Sequence, residues 1–115
     1  MARPLRIEFE GGWYHVISRG IDRREIFRDD ADRLDFLMRL FSLVQSHGVA
    51  VHGYCLMTNH FHLQLQTARA NLKEAMQRLL SGYVVRFNRR YDRVGPLFQG
   101  RYRAFQSGTP RDLNP

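Results

Sequence analysis

The chain has 115 residues, of which 43% are hydrophobic and 12% aromatic, enough apolar material to bury the core of one small domain. It contains no apolar run of about 20 residues, which excludes a membrane-spanning helix. Its single cysteine, Cys55, excludes an internal disulfide. Because no apolar segment of signal-peptide length follows the first residues, the sequence predicts a cytoplasmic protein.

The net charge of +7 is distributed unevenly along the chain. Residues 1–67 carry eight basic and eight acidic side chains, whereas residues 68–115 carry ten basic and three acidic ones. A basic surface attracts polyanions, of which the nucleic-acid backbone is the commonest. The charge therefore predicts a nucleic-acid partner, and a generally basic protein with a solvated face is the alternative.

The first half of the chain predicts one strand and one helix. Aromatic and β-branched residues over 13–18 predict the strand, which ends at Arg19 and Gly20. Apolar residues at helical spacing over 31–47, followed by Gly48, predict the helix. The side chains expected to face the core from this helix are Leu34, Leu37, Met38, Phe41 and Val44.

Two strands joined by a tight turn at residues 58–59 are predicted next, as an antiparallel hairpin. The first covers residues 49–57 and is mostly apolar. In the second, side chains alternate between the two faces of the sheet. Its apolar side chains on one face are Phe61, Leu63 and Leu65, and its polar ones on the other are His60, His62, Gln64 and Gln66.

The remaining elements are a second helix and a last strand. The helix is predicted over residues 72–90, with Tyr83 in its apolar stripe and basic residues on its other side. After a bend, the strand places Arg101, Arg103 and Phe105 on one face. Residues 106–115, which contain Gly and two Pro, are predicted to be irregular.

The resulting order, β-α-β-β-α-β, is typical of the ferredoxin-like fold, an α+β class with two helices on one face of an antiparallel sheet. Residues 1–115 are predicted to form this single domain. The helices should cover the apolar face of the hairpin's second strand. His60 and His62 would then lie on the open face of the sheet.

Two histidines at positions i and i+2 of a strand lie about 6.6 Å apart at Cα, since each residue rises about 3.3 Å. Both imidazoles can therefore converge on one divalent ion, and neutral imidazole is the commonest metal ligand in proteins. His60 and His62 are accordingly candidate metal ligands. The alternative is a half-exposed strand whose polar face carries two histidines without a metal, which itself needs further ligands.

Several short motifs occur in a fixed order around these histidines: Tyr14-His15-Val16, Ser18-Arg19-Gly20, His60-Phe61-His62, Phe87-Asn88-Arg89-Arg90 and Gly95-x-Leu97-Phe98-Gln99-Gly100-Arg101-Tyr102. With them the chain resembles the single-tyrosine HUH transposases. Within that family it is similar to the REP-associated, IS200-like branch. The resemblance covers about residues 11–105.

The resemblance implies a metal-dependent reaction on DNA. His60 and His62 would hold a Mg²⁺ or Mn²⁺ ion that polarises a scissile phosphate in single-stranded DNA, while a tyrosine attacks to form a 5′-phosphotyrosine. Hairpins near the ends of the element are the implied target, and a homodimer the implied assembly. The residues then expected to contact DNA are Arg19, Arg78, Arg86, Arg89, Arg90, Arg93, Arg101 and Arg103.

The chain departs from the family at the tyrosine. In the family this residue lies on a later helix, in a pattern like Tyr-Ile-x-x-Asn-Pro. Here Leu113-Asn114-Pro115 resembles the end of that pattern, but Pro110 stands at the tyrosine's place. The sequence predicts a chain that ends before the tyrosine helix. Tyr83 is the fallback nucleophile, although its apolar stripe favours a place in the core.

Two further functions stay open. One is a decayed transposase that binds hairpin DNA or RNA without cutting it. The other is a ferredoxin-like RNA binder without a metal. Such RNA binders carry aromatic residues on the exposed strand face, where this chain has histidine and glutamine.

Overall fold

A computed structural model describes residue 8 and residues 10–108 of the chain. The elements follow the predicted order: β1 (Gly12–Arg19), α1 (Asp30–His47), β2 (Val49–Leu56), β3 (His60–Thr67), α2 (Leu72–Arg90) and β4 (Arg103–Gly108). The four strands form one antiparallel sheet in the order β2-β3-β1-β4. The α+β, ferredoxin-like prediction is confirmed. No helix in the described part of the chain is long and apolar enough to cross a bilayer.

The two central strands, β1 and β3, carry the polar side chains of the open face of the sheet. They pair along their whole length, with Ile17 opposite His62 and Arg19 opposite His60. β2 and β3 form the predicted hairpin, since Leu56 lies opposite Phe61. The ends of β1 and β3 that carry Arg19 and His60 therefore lie at the same edge of the molecule.

The prediction of an irregular tail from residue 106 is wrong for residues 106–108. These residues continue β4 and pair with β1, where Gln106 lies opposite Tyr14 and Gly108 opposite Trp13. The tail has no apolar period, so only backbone pairing with β1 makes it a strand. The rest of the predicted tail, residues 109–115, lies outside the described residues.

The core lies between the sheet and the two helices. Phe61, Leu63 and Leu65 of β3 are fully buried, as the alternation predicted. The predicted apolar stripe of α2 lies against them, and Tyr83 is buried with it. Aromatic rings meet at the centre, where the Phe36 ring lies 5.1 Å from that of Phe61.

The face of α1 predicted to be buried is instead largely exposed. Leu34 is 60% exposed and Met38 66% exposed, and Phe41 and Val44 also face outward. Only Leu37 of the predicted set packs partly against the core. The helix carries two apolar stripes at the same spacing, and the stripe that the core selects is Phe36, Leu40 and Leu43.

A buried carboxylate connects α1 to α2. The Asp32 side chain is fully buried and accepts hydrogen bonds from Arg90 at 2.7 Å, the Tyr91 hydroxyl at 2.7 Å, and Arg86. Burial by itself raises the pKa of the Asp32 carboxyl, but the hydrogen bonds outweigh it and hold that pKa below its usual value. The carboxylate is therefore charged at neutral pH.

Asp29 extends this network at the N-terminus of α1. Its Oδ1 accepts the Asp32 backbone N–H at 3.0 Å and so caps the helix. Its carboxylate also pairs with the Arg90 guanidinium at 2.6 Å, which lowers the pKa of Asp29 to about 2. We call Asp29, Asp32, Arg86, Arg90 and Tyr91 the interhelical network.

Candidate metal and nucleic-acid site

The open face of the sheet carries a cavity of about 430 Å³ around the two predicted metal ligands. His60 and His62 reach this face because they alternate with the buried residues of β3, and both are half-buried. The cavity is lined by Ile17, Ser18, Arg19, His60, His62, Gln99, Arg101 and Arg103.

The two imidazole rings lie close enough to act on one ligand. Their centroids are 5.1 Å apart and their planes are nearly perpendicular. Nδ1 of His60 lies 2.8 Å from Oδ1 of Asn59. Since an amide oxygen only accepts, a neutral His60 ring in this contact has its proton on Nδ1 and a lone pair for a ligand on Nε2.

His62 is favoured in its neutral form. Desolvation by burial, followed by the nearby His60 and His15, lowers the pKa of the His62 imidazole below its usual value. Only the neutral ring has the lone pair that binds a metal ion. The surroundings of His62 therefore suit a ligand and oppose a permanent positive charge.

The donor set fits a divalent ion that also takes oxygen ligands from elsewhere. No group of three His, Cys, Asp or Glu side chains converges among the described residues, and these residues supply two imidazole nitrogens here. Mn²⁺ accepts both imidazole and oxygen ligands, and Mg²⁺ keeps several waters and binds phosphate oxygens. A structural zinc site is not what this set predicts, because such sites are closed by four protein ligands.

Three arginines give the cavity its charge. Arg19 ends β1, Arg101 precedes β4 and Arg103 begins it, and all three are exposed. None of them belongs to an ion pair within residues 10–108, and no carboxylate of these residues lines the cavity. A guanidinium binds phosphate in a bidentate manner. The cavity is thus suited to an anionic ligand.

The other five predicted contact residues do not join this cavity. Arg86 and Arg90 belong to the interhelical network, where they neutralise buried or capping carboxylates. Arg93 donates to Oδ1 of Asn88 at 2.7 Å and to the Pro96 carbonyl. Arg78 and Arg89 are exposed on α2. The eight arginines therefore form no single surface patch.

Tyr83 occupies the core, on the helical side of the sheet. Its hydroxyl donates to the backbone carbonyl of Ile26, and its ring lies 5.3 Å from that of Phe36. Burial strongly raises the pKa of the Tyr83 hydroxyl. A protonated, fully buried hydroxyl is not placed for attack on DNA, so the structure offers no support for Tyr83 as a nucleophile.

Sequence reasoning missed three residues at this site. Nε2 of His15 lies 3.0 Å from Nδ1 of His62, Asn59 orients His60, and Gln99 lines the cavity. Only the adjacency of Asn59 to His60 was a local signal. The other two contacts depend on strand register and loop position. His52 does not join the site, since it bonds to Gln66 and stacks on Trp13.

Comparisons with known proteins agree with this fold. A sequence profile of the family described as "Transposase IS200 like" matches residues 9–113, whereas no curated protein matches the chain.

One similar solved structure is a REP-associated tyrosine transposase bound to a REP hairpin, with a TM-score of 0.73 and 10% identity. The match covers 97% of this chain and 66% of that one, so the chain spans about two thirds of that transposase's length. Another is a Deinococcus radiodurans R1 protein described as a transposase, with a TM-score of 0.66, 16% identity, and coverage of 94% and 85%.

Proposed function

Because the chain belongs to the IS200-like transposase family, we propose that it binds DNA on the open face of its sheet and takes part in metal-dependent nicking and joining of single-stranded DNA. The observation that carries the proposal is the cavity, where two imidazoles meet three arginines that have no carboxylate partner among the described ion pairs. Phosphate is the anion in DNA that such a set recognises.

The chain's own residues then have separable roles. His60 and His62 would hold a Mg²⁺ or Mn²⁺ ion, and Asn59 orients the first of these rings. Arg19, Arg101 and Arg103 bind phosphodiester groups beside it. The ion, when bound, neutralises charge that develops on the scissile phosphate.

Hairpin DNA with a single-stranded flank is the proposed substrate. One structural neighbour is described as bound to a REP hairpin, and phosphate contacts position such a substrate. Arg78, Arg89 and Arg93 are proposed contacts with DNA that extends beyond the cavity.

A second candidate function is supported by one observation: no tyrosine in the described part of the chain lines the cavity. A protein with this site and no nucleophile in reach would bind hairpin DNA or RNA without cutting it. The cleavage proposal therefore assigns metal binding and phosphate binding to this chain and gives Tyr83 no role in the reaction.

We also propose a homodimer, as the family resemblance implies. The exposed apolar residues of α1 support it, since Phe41 packs edge-on against exposed Tyr54 of the edge strand β2 and continues an apolar surface there. Sedimentation of the wild type and of Met38→Glu tests this assembly. A dimer in the wild type that dissociates in the variant is expected; a monomer at high concentration would contradict it.

The decisive experiment for cleavage uses a labelled hairpin with single-stranded flanks, incubated with Mg²⁺ or Mn²⁺ and run on a denaturing gel. A metal-dependent covalent adduct that disappears in His60→Ala/His62→Ala is the expected result for a nicking enzyme. His52→Ala is the matched control, since His52 is on the same face but outside the cavity. Tight binding without an adduct would instead support the non-cleaving function.

A further inference from the structure

We propose that His15 is a positioning residue of the metal site: its Nε2 accepts a hydrogen bond from Nδ1–H of His62 and keeps Nε2 of His62 free to bind a divalent ion. The inference rests on the proposed function, because His15 acts only through His62. The sequence motif that contains His15, Tyr14-His15-Val16, by itself assigns no role to this residue.

The strand register brings the two rings together. His15 lies in β1 between Tyr14 and Val16, which are buried, so its side chain points to the open face. β1 pairs with β3 such that Ile17 lies opposite His62. His15 is two residues before Ile17 and therefore a diagonal neighbour of His62, within reach of a long side chain.

The contact between the rings is close and constrained. The two nitrogens are 3.0 Å apart, and the ring centroids lie 5.2 Å apart with planes inclined by 26°. On its other side the His15 ring faces Phe105 of β4, at 6.5 Å between centroids. His15 is half-buried between these two rings, which limits the rotamers that it can adopt.

The direction of this hydrogen bond decides whether His62 can bind a metal ion. If His15 donated, Nδ1 of His62 would be the acceptor and its Nε2 would carry the proton, leaving no lone pair for an ion. If His15 accepts, Nε2 of His62 is free. His60 already shows the second arrangement, with its Nδ1–H bonded to Asn59. With His15 as acceptor, both ligands present Nε2, and outer partners of this kind orient metal-binding histidines.

The test reads the tautomer of His62 directly, without metal or DNA. Long-range ¹H–¹⁵N spectra are recorded at about pH 8, which is above the ordinary pKa of an imidazole in a model peptide. We compare the wild type with His15→Phe and His15→Ala, which lack the acceptor, and with His15→Gln, whose amide oxygen can replace it. His52→Phe is the matched control, because His52 bonds to Gln66 instead of a metal ligand.

The wild type, His15→Gln and His52→Phe are expected to carry the His62 proton on Nδ1. His15→Phe and His15→Ala are expected to move it to Nε2, and to bind Mn²⁺ about tenfold more weakly in a titration. An unchanged His62 tautomer in both acceptor-free variants would overturn the proposal. The proposed metal site has its own test: it is contradicted if His60→Ala/His62→Ala leaves the affinity for Mn²⁺ unchanged. The tautomer comparison needs no metal ion and is independent of that result.

Discussion

Two regions of this molecule concentrate charged side chains, and they differ in whether the charges are already paired. In the interhelical network, Arg86 and Arg90 meet the carboxylates of Asp29 and Asp32. On the open face, arginines line a cavity that has no carboxylate among its described lining residues. The same residue type therefore stabilises the fold in one region and is available to an anionic ligand in the other.

Chain position explains this difference. α1 begins with several acidic residues, and its N-terminal turn packs beside the C-terminal turns of α2, which carry Arg86 and Arg90. Opposite charges there also suit the two helix dipoles. Near His60, the strand ends and a loop carry arginines that form no ion pair among the described residues. Unpaired cations around a cavity are the feature that distinguishes a binding site from a structural ion-pair network.

The largest expected effect is on stability. Asp32→Ala should lower the free energy of unfolding by about 3 kcal/mol, because it leaves two guanidinium groups without their buried partner. The control is Asp30→Ala, since Asp30 is fully exposed and pairs with Arg33 only at 3.6 Å; it should change stability little. Urea unfolding measures both. Equal losses in the two variants would mean that the network does not stabilise the fold.

A smaller effect is expected on DNA binding. Arg103→Gln should weaken the binding of a flanked hairpin and reduce the slope of log affinity against log salt by about 1, because one phosphate contact is lost. Arg90→Gln should reduce thermal stability and leave the slope nearly unchanged, because Arg90 is already paired. Fluorescence anisotropy at several salt concentrations measures the slopes. If Arg90→Gln instead reduced the salt slope and Arg103→Gln reduced the thermal stability, Arg90 would be the residue that contacts DNA and Arg103 the structural one.

The smallest expected effect is on acid stability. The pKa of Asp29 is lowered to about 2 in the folded chain from 3.8, so the folded state binds this proton less readily than the unfolded state. Its stabilising contribution is complete above about pH 4 and is lost as the pH falls toward 2. Asp29→Asn should therefore flatten the stability profile between pH 4 and pH 2, measured by thermal melts. A profile identical to that of the wild type would contradict the ion pair with Arg90.

Local patterns were sufficient to predict the order and type of the helices and strands, but not the end of β4. The alternation around Phe61 placed both histidines on the open face, and the apolar stripe of α2 placed Tyr83 in the core. For α1 the pattern was ambiguous, because two apolar stripes have the same spacing. Only packing against the sheet chooses Phe36 and Leu40 over Leu34 and Met38.

Contacts between distant residues could not be predicted from local patterns. Arg86 and Arg90 looked like part of one basic surface, but their partners lie more than 50 residues earlier in the chain. The contact between His15 and His62 depends on the register of β1 against β3, which no local pattern sets. Likewise, β4 continues past residue 105 only because β1 provides a partner for its backbone.

We propose above that the open-face cavity binds DNA together with a divalent ion held by His60 and His62. The most direct test measures the affinity of a flanked hairpin with and without Mn²⁺ for the wild type, His60→Ala/His62→Ala and His52→Ala. Mn²⁺ should tighten binding to the wild type and His52→Ala, and should have no effect on the double variant. A gain from Mn²⁺ that persists in the double variant would contradict the claim, because the ion would then act at another place on the protein.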